Sequence, residues 1–176
     1  MSQNQALIAE LKTESATTRK ILLCVPSEKN DWKPHDHSMP LGRLATHIAD
    51  LPGWITMVMN TAELDLATMD YKPYVAPSSE DLAAYFDGKV NEAVAALENS
   101  SDDNFDAMWT LRRGDHIMFA MPKKVVLRSM AFSHMYHHRG QLSVYLRLLD
   151  IAIPGMYGPS YDDTQAMKAA AAAQAN

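Results

Sequence analysis

The chain has 176 residues, 47% of them hydrophobic and 21% charged, and its 16 Lys and Arg against 21 Asp and Glu give a formal net charge of −5. That length suits one domain with a sizeable core, and an acidic balance without any basic stripe argues against a general nucleic-acid binder. No apolar run reaches the ~18–20 residues that cross a bilayer, the opening Met-Ser-Gln-Asn-Gln-Ala-Leu lacks a basic-then-apolar leader, and the single Cys24 has no disulfide partner. A cytoplasmic protein is expected, with neither membrane nor nucleic acid as a partner.

The hydrophobic period predicts a first helix from about Gln5 to Leu23, carrying Leu7, Leu11, Ile21 and Leu22 and ending before Pro26, because the residue ahead of a proline disfavours helical dihedrals. Pro26 to Pro40 holds three prolines and many turn formers and reads as a long irregular loop, a kind of segment that often lines functional sites. Leu44, Ile48, Leu51, Ile55 and Val58 predict a second helix over roughly Leu41–Leu64 with His47 in its stripe. Pro52, which cannot donate to the Ile48 carbonyl, should kink it one turn after His47.

After a loop through Pro73 and Pro77, a helix should open at Ser78 or Ser79, where Asp81 completes a pattern close to a capping box. Leu82, Phe86, Val90, Ala93, Val94 and Leu97 continue it at helical spacing. Met108–Leu111 and Ile117–Ala120 flank a Gly114-Asp115 turn and suggest a short hairpin. The last long helix is predicted over about Lys123–Asp150, with Leu127, Met130, Ala131, His134, His138, Leu142, Tyr145 and Leu149 on its core face. The Ala-rich stretch after Asp163 reads as a frayed or disordered tail, which divides the chain into a helical domain over 1–163 and a tail over 164–176. These elements imply an all-α fold, a four-helix bundle with a small β-hairpin before the last long helix.

Chemistry concentrates in three histidines: His47 in Leu44-Ala-Thr-His47-Ile-Ala-Asp50, and the pair in His134-Met-Tyr-His-His138. Residues four apart on a helix share a face, so His134 and His138 can reach one ion, and His47, on a second apolar stripe, is the candidate third ligand. Three neutral imidazoles leave a coordination position open, the pattern of catalytic rather than structural zinc. The alternative is that the same rings are core histidines bonded to backbone, Gln141 or Asp50. An unpaired buried ring is costly, so some partner is needed either way.

Around this set, Asp50 lies one turn beyond His47 and is the candidate catalytic residue, as a general base or an acceptor for a ligand ring, against a plain exposed helix carboxylate. Gln141 stands one turn after His138 and is placed to orient a ligand; Arg139 reads as a structural hydrogen-bond donor. His137 points about 100° away from His138 and fits a helix or subunit contact. His35, His37 and His116 read as solvated, and Cys24 as a buried inert thiol. Trp32, Trp54 and Tyr145 could wall a pocket or simply fill the core. No Gly-x-Ser-x-Gly elbow and no phosphate-cradling glycine loop is present.

His134-Met-Tyr-His-His138-Arg-Gly-Gln141-Leu, Leu44-Ala-Thr-His47, Met39-Pro-Leu-Gly and Pro154-Gly-Met-Tyr-Gly-Pro-Ser160 together resemble the DinB-like family of metal-binding four-helix bundles, over roughly Leu7 to Asp163. The resemblance implies that His47, His134 and His138 are the ligands of a divalent ion, zinc or nickel, and that the chain pairs as a homodimer. It also implies a small-molecule substrate, with a low-molecular-weight thiol favoured. A metal-dependent enzyme is therefore expected, either a thiol-dependent transferase or a hydrolase; the alternative is a non-catalytic, metal-binding, stress-associated homodimer. A third possibility is that the histidines only fill the core.

Overall fold

The protein is described by a computed structural model covering residues 2–174. Helix α1 (Gln3–Leu22) buries Leu7, Leu11, Ile21 and Leu22 and stops four residues before Pro26, as its sequence requires. The following loop makes one 3-10 turn at Ser27–Lys29 and is otherwise irregular up to Pro40.

The second predicted helix is two. Helix α2 (Leu41–Asp50) and helix α3 (Pro52–Asn60) meet at Leu51, which keeps helical dihedrals, so the break comes from the missing N–H of Pro52 at the first position of α3. Helix α3 also ends earlier than expected, at Asn60, because Glu63–Asp65 forms a strand, β1. Helix α4 (Ser79–Glu98) begins as its sequence indicates: the Ser78 hydroxyl accepts from the Asp81 N–H at 3.1 Å.

The expected hairpin is present as β2 (Met108–Arg113) and β3 (His116–Pro122), turning at Gly114, whose φ of +58° falls in the region that favours glycine. It belongs to a three-stranded sheet, because β1 pairs in parallel with β2, Glu63 opposite Thr110 and Asp65 opposite Arg112. Asp65 ties them together: one oxygen accepts the amides of Ala67 and Gly114, and the other pairs with Arg112, which also reaches Glu63.

The last long helix is composite. A short α-turn, α5 (Lys123–Val126), runs into a π-helical segment, Leu127–Ser133, and then into α6 (His134–Leu148). Leu127 and Phe132 are both buried five residues apart, a π spacing, and the buried line continues as Met135, Arg139, Leu142 and Leu146. This corrects the core face expected from a pure α period. Met130, Tyr145 and Leu149 are only half-buried, and the buried line passes one residue beside His134 and His138.

Helix α6 ends in a Schellman motif, with the Ile151 N–H on the Leu146 carbonyl, the Asp150 N–H on the Arg147 carbonyl, and Asp150 at φ +57°. Helix α7 (Tyr161–Gln174) runs across residue 163 and buries no side chain. The architecture is thus mostly helical with a small sheet, and it departs from four uninterrupted helices at Pro52, at the π segment and at α7.

Packing forms two adjoining cores. One joins α1, α3, the π segment and the sheet through Leu11, Ile55, Val58, Phe105, Trp109 and Phe132; the other joins α1, α2, α4 and α6 through Leu22, Leu44, Ile48, Phe86, Leu142 and Leu146. Helix α4 packs on α1, α2 and α3, while α6 packs on α2. That last contact sets His47 opposite His134 and His138. No helix of the described residues is long and apolar enough to cross a membrane.

Candidate metal centre

His47 lies in α2, His134 opens α6, and His138 follows one turn later. Their rings form a triangle with centroid separations of 4.9, 4.7 and 4.6 Å. A nitrogen from each lies within 4.8 Å of the others. The Nε2 atoms of His47 and His134 stand 3.3 Å apart. Two imidazole nitrogens bound tetrahedrally at about 2.0–2.1 Å would be separated by roughly 3.3 Å, so the spacing fits one small ion.

The outer nitrogens of the α6 pair are already used. His134 Nδ1 lies 3.3 Å from the carbonyl oxygen of Met130, and His138 Nδ1 lies 2.7 Å from Oε1 of Gln141. Both oxygens only accept, so each Nδ1 carries the proton and each Nε2 presents a lone pair to the centre. This is how ligand histidines are usually held.

Burial favours the same protonation state. The His47 pKa is pushed down to about 4, first by loss of solvent and then by the neighbouring His138, His134 and Arg43. His134 and His138 are lowered as well, again chiefly by burial. All three rings are neutral near pH 7, as ligation demands, and each is half-buried. A set of three converging neutral imidazoles could hold a metal ion.

Other candidate residues are placed elsewhere. Asp50 shares α2 with His47, but its carboxylate accepts from Tyr85 and Tyr71, both at 2.5 Å, and no hydrogen bond joins it to the histidines. His137 is exposed, its ring against His138 at 4.8 Å. His35 and His37 are exposed in the loop, their rings 5.3 Å apart, and His116 is exposed on β3. Trp32 packs edge-on to Tyr145, and Trp54 packs on Trp109. The Cys24 thiol is half-buried, with its pKa raised by that burial.

Arg139 is 2% exposed and ties α6 to α1, pairing with Glu14 at 2.7 Å and donating to Thr18 and to Tyr157. Two features escape the sequence. Arg43, four residues before His47, is signalled only by helical spacing, and the Tyr71 and Tyr85 phenols on Asp50 come from distant segments and carry no local signal.

The profile of the DinB family matches residues 1–173. A Bacillus subtilis protein described as "Uncharacterized protein YrdA" is 30% identical over 151 residues, spanning 85% of each chain. A DinB-like protein from Bacillus cereus ATCC 10987 has the same fold at a TM-score of 0.67 and 24% identity, covering 87% of this chain and 97% of its own. The DinB-like protein YjoA of Bacillus subtilis superposes with a TM-score of 0.68 at 18% identity, over 86% and 97% of the two chains. Sequence profile and fold agree, and the chain belongs to the DinB family.

Proposed function

We propose that His47, His134 and His138 hold one divalent metal ion, zinc or nickel, and that the protein is a metal-dependent enzyme acting on a small molecule, as a thiol-dependent transferase or a hydrolase. The observation that supports this most directly is the convergence of three neutral imidazoles whose outer nitrogens on α6 are tied to Met130 and Gln141. When bound, such an ion supplies Lewis acidity, which acidifies a water or a thiol toward neutral pH. The chain's part is to keep the three rings deprotonated by burial, to fix two of them from behind, and to leave the site partly open to solvent, since all three rings are half-buried.

Elemental analysis of gently purified, untagged protein tests the metal. About one equivalent is expected, lost in a His134→Ala/His138→Ala variant, and no metal even after exposure to excess zinc and nickel followed by dialysis defeats the proposal. Assays of thiol addition to a chromogenic electrophile, and of ester hydrolysis, then choose between the two reactions.

A second reading, a non-catalytic metal-binding homodimer, is favoured by one observation: a cavity of about 210 Å³ on α2 is lined by none of the three histidines. Full metal occupancy without turnover, together with a dimer in sedimentation, would support it.

A further inference from the structure

The same cavity has a chemistry of its own. From α2 it is lined by Gly42, Arg43, Ala45 and Thr46; the loop after α1 supplies Asn30 and Asp31, and the segment before α4 closes the far side through Tyr74 and Val75. Arg43 stands one turn before His47 on α2 and Thr46 directly before it, but none of the three histidines lines this space. A dry protein cavity of ~150 Å³ admits benzene, which makes about 210 Å³ room for an organic molecule of roughly ten non-hydrogen atoms.

Arg43 is left without a counterion inside the protein. Arg19, Arg112, Arg128, Arg139 and Arg147 each pair with a carboxylate, whereas Arg43 forms no ion pair among the described residues and its side-chain polar contact is with the Tyr71 phenol. Its Nη1 is sealed from solvent and has no acceptor. The nearest acid along the same helix cannot help. Asp50 is occupied by two phenols, and one of these, Tyr71, lies under the guanidinium with its ring centre 5.6 Å away. A half-buried guanidinium on a cavity wall with no carboxylate partner can receive an anion from outside.

The lining also limits which anion fits. Asp31 shares the wall, and its negative charge disfavours a phosphate dianion while tolerating a single carboxylate. Val25, Val75, Ala76 and Leu82 make much of the remaining surface apolar, which suits a hydrocarbon body. We propose that this cavity binds a small organic carboxylate, its carboxylate group paired with Arg43 and its aliphatic part against Val25, Val75 and Leu82. The inference does not depend on the metal proposal, since no histidine of the triangle lines the cavity.

The test is an amide ¹H–¹⁵N titration of chelator-treated protein with hexanoate, hexanol and inorganic phosphate in turn. Hexanoate should shift Asn30, Arg43, Thr46 and Ser79 saturably, with at least tenfold higher affinity than hexanol, its neutral counterpart. Arg43→Gln should abolish that tenfold preference and Arg43→Lys should keep part of it. The proposal is overturned by equal binding of hexanol, by tighter binding of phosphate, by no saturable shift at these amides, or by unchanged hexanoate affinity in Arg43→Gln. Should Arg43→Gln fail to fold, the comparison of hexanoate with hexanol on the unaltered chain still decides. Because the protein is tested without metal, failure of either proposal leaves the other standing.

Discussion

Gln141 Oε1 lies 2.7 Å from His138 Nδ1, one helical turn away on α6. The contact fixes the ring's orientation and its tautomer together, because an amide oxygen can only accept. Loss of such an outer partner typically weakens metal affinity about 10–100-fold. Gln141→Leu should therefore lower zinc affinity by that order, measured by competition with a chromophoric chelator. Gln141 is exposed, so the urea midpoint of the metal-free protein should barely move. An unchanged affinity would mean that the ring is held by packing alone.

The Arg139–Glu14 pair predicts a stability effect of a different size. Both side chains are largely removed from solvent, at 2% and 13% exposure, and removing one member of a buried pair strands the other. Arg139→Ala should cost about 3–5 kcal/mol in urea unfolding. The double variant Glu14→Leu/Arg139→Met should recover much of that loss. A double variant as unstable as the single one would show that the bonds to Thr18 and Tyr157 matter more than the charge pair.

Acid should weaken the metal-free protein through His47. Its folded pKa is depressed to about 4 by burial, against about 6.5 for a free imidazole. Between these values the unfolded chain binds a proton that the native state refuses, so stability falls as the pH drops from about 6.5 to about 4 and this contribution is constant below that. Thermal melts of chelator-treated protein across this window should show the decline, and His47→Gln should flatten it. A His47→Gln profile parallel to that of the unaltered chain would locate the titration elsewhere.

Gly155 sits in a turn that admits no side chain. A Cβ there would come within 2.0 Å of the Gly158 carbonyl oxygen and 2.7 Å of Asp163 Oδ2. That same oxygen accepts the amides of Gly155 and Ser160. Gly155→Ala should open this turn, at a cost on the order of 1–3 kcal/mol. Hydrogen exchange should accelerate over residues 153–163 while the α1 and α4 amides stay protected; uniform acceleration would mean that the turn supports the whole fold.

Much of this could be read in the chain itself. Helical periods located α1 and α4 to within a residue or two, Pro52 marked the break, and Gly114-Asp115 marked the hairpin turn. Spacing paired His134 with His138, while His47 joined them through its place on a second apolar stripe and through the family resemblance. What stayed hidden depends on partners far along the chain. Strand β1 is three residues long and exists because Arg112, 47 residues away, pairs with Asp65. The π segment has no signature in Leu-Arg-Ser-Met-Ala-Phe-Ser, yet it moves the buried line of α6 by one residue, so that Arg139 is buried more deeply than the histidines beside it.

His47 and His134 are separated by 87 positions in the chain. An excised α6 peptide would carry two of the three rings and could offer only a two-point grip. The triangle is complete only where α2 is docked on α6. Metal uptake at full strength would therefore serve as a gauge of completed folding, and a nick anywhere in the intervening loops that lets α2 drift would silence the site while leaving every histidine chemically intact.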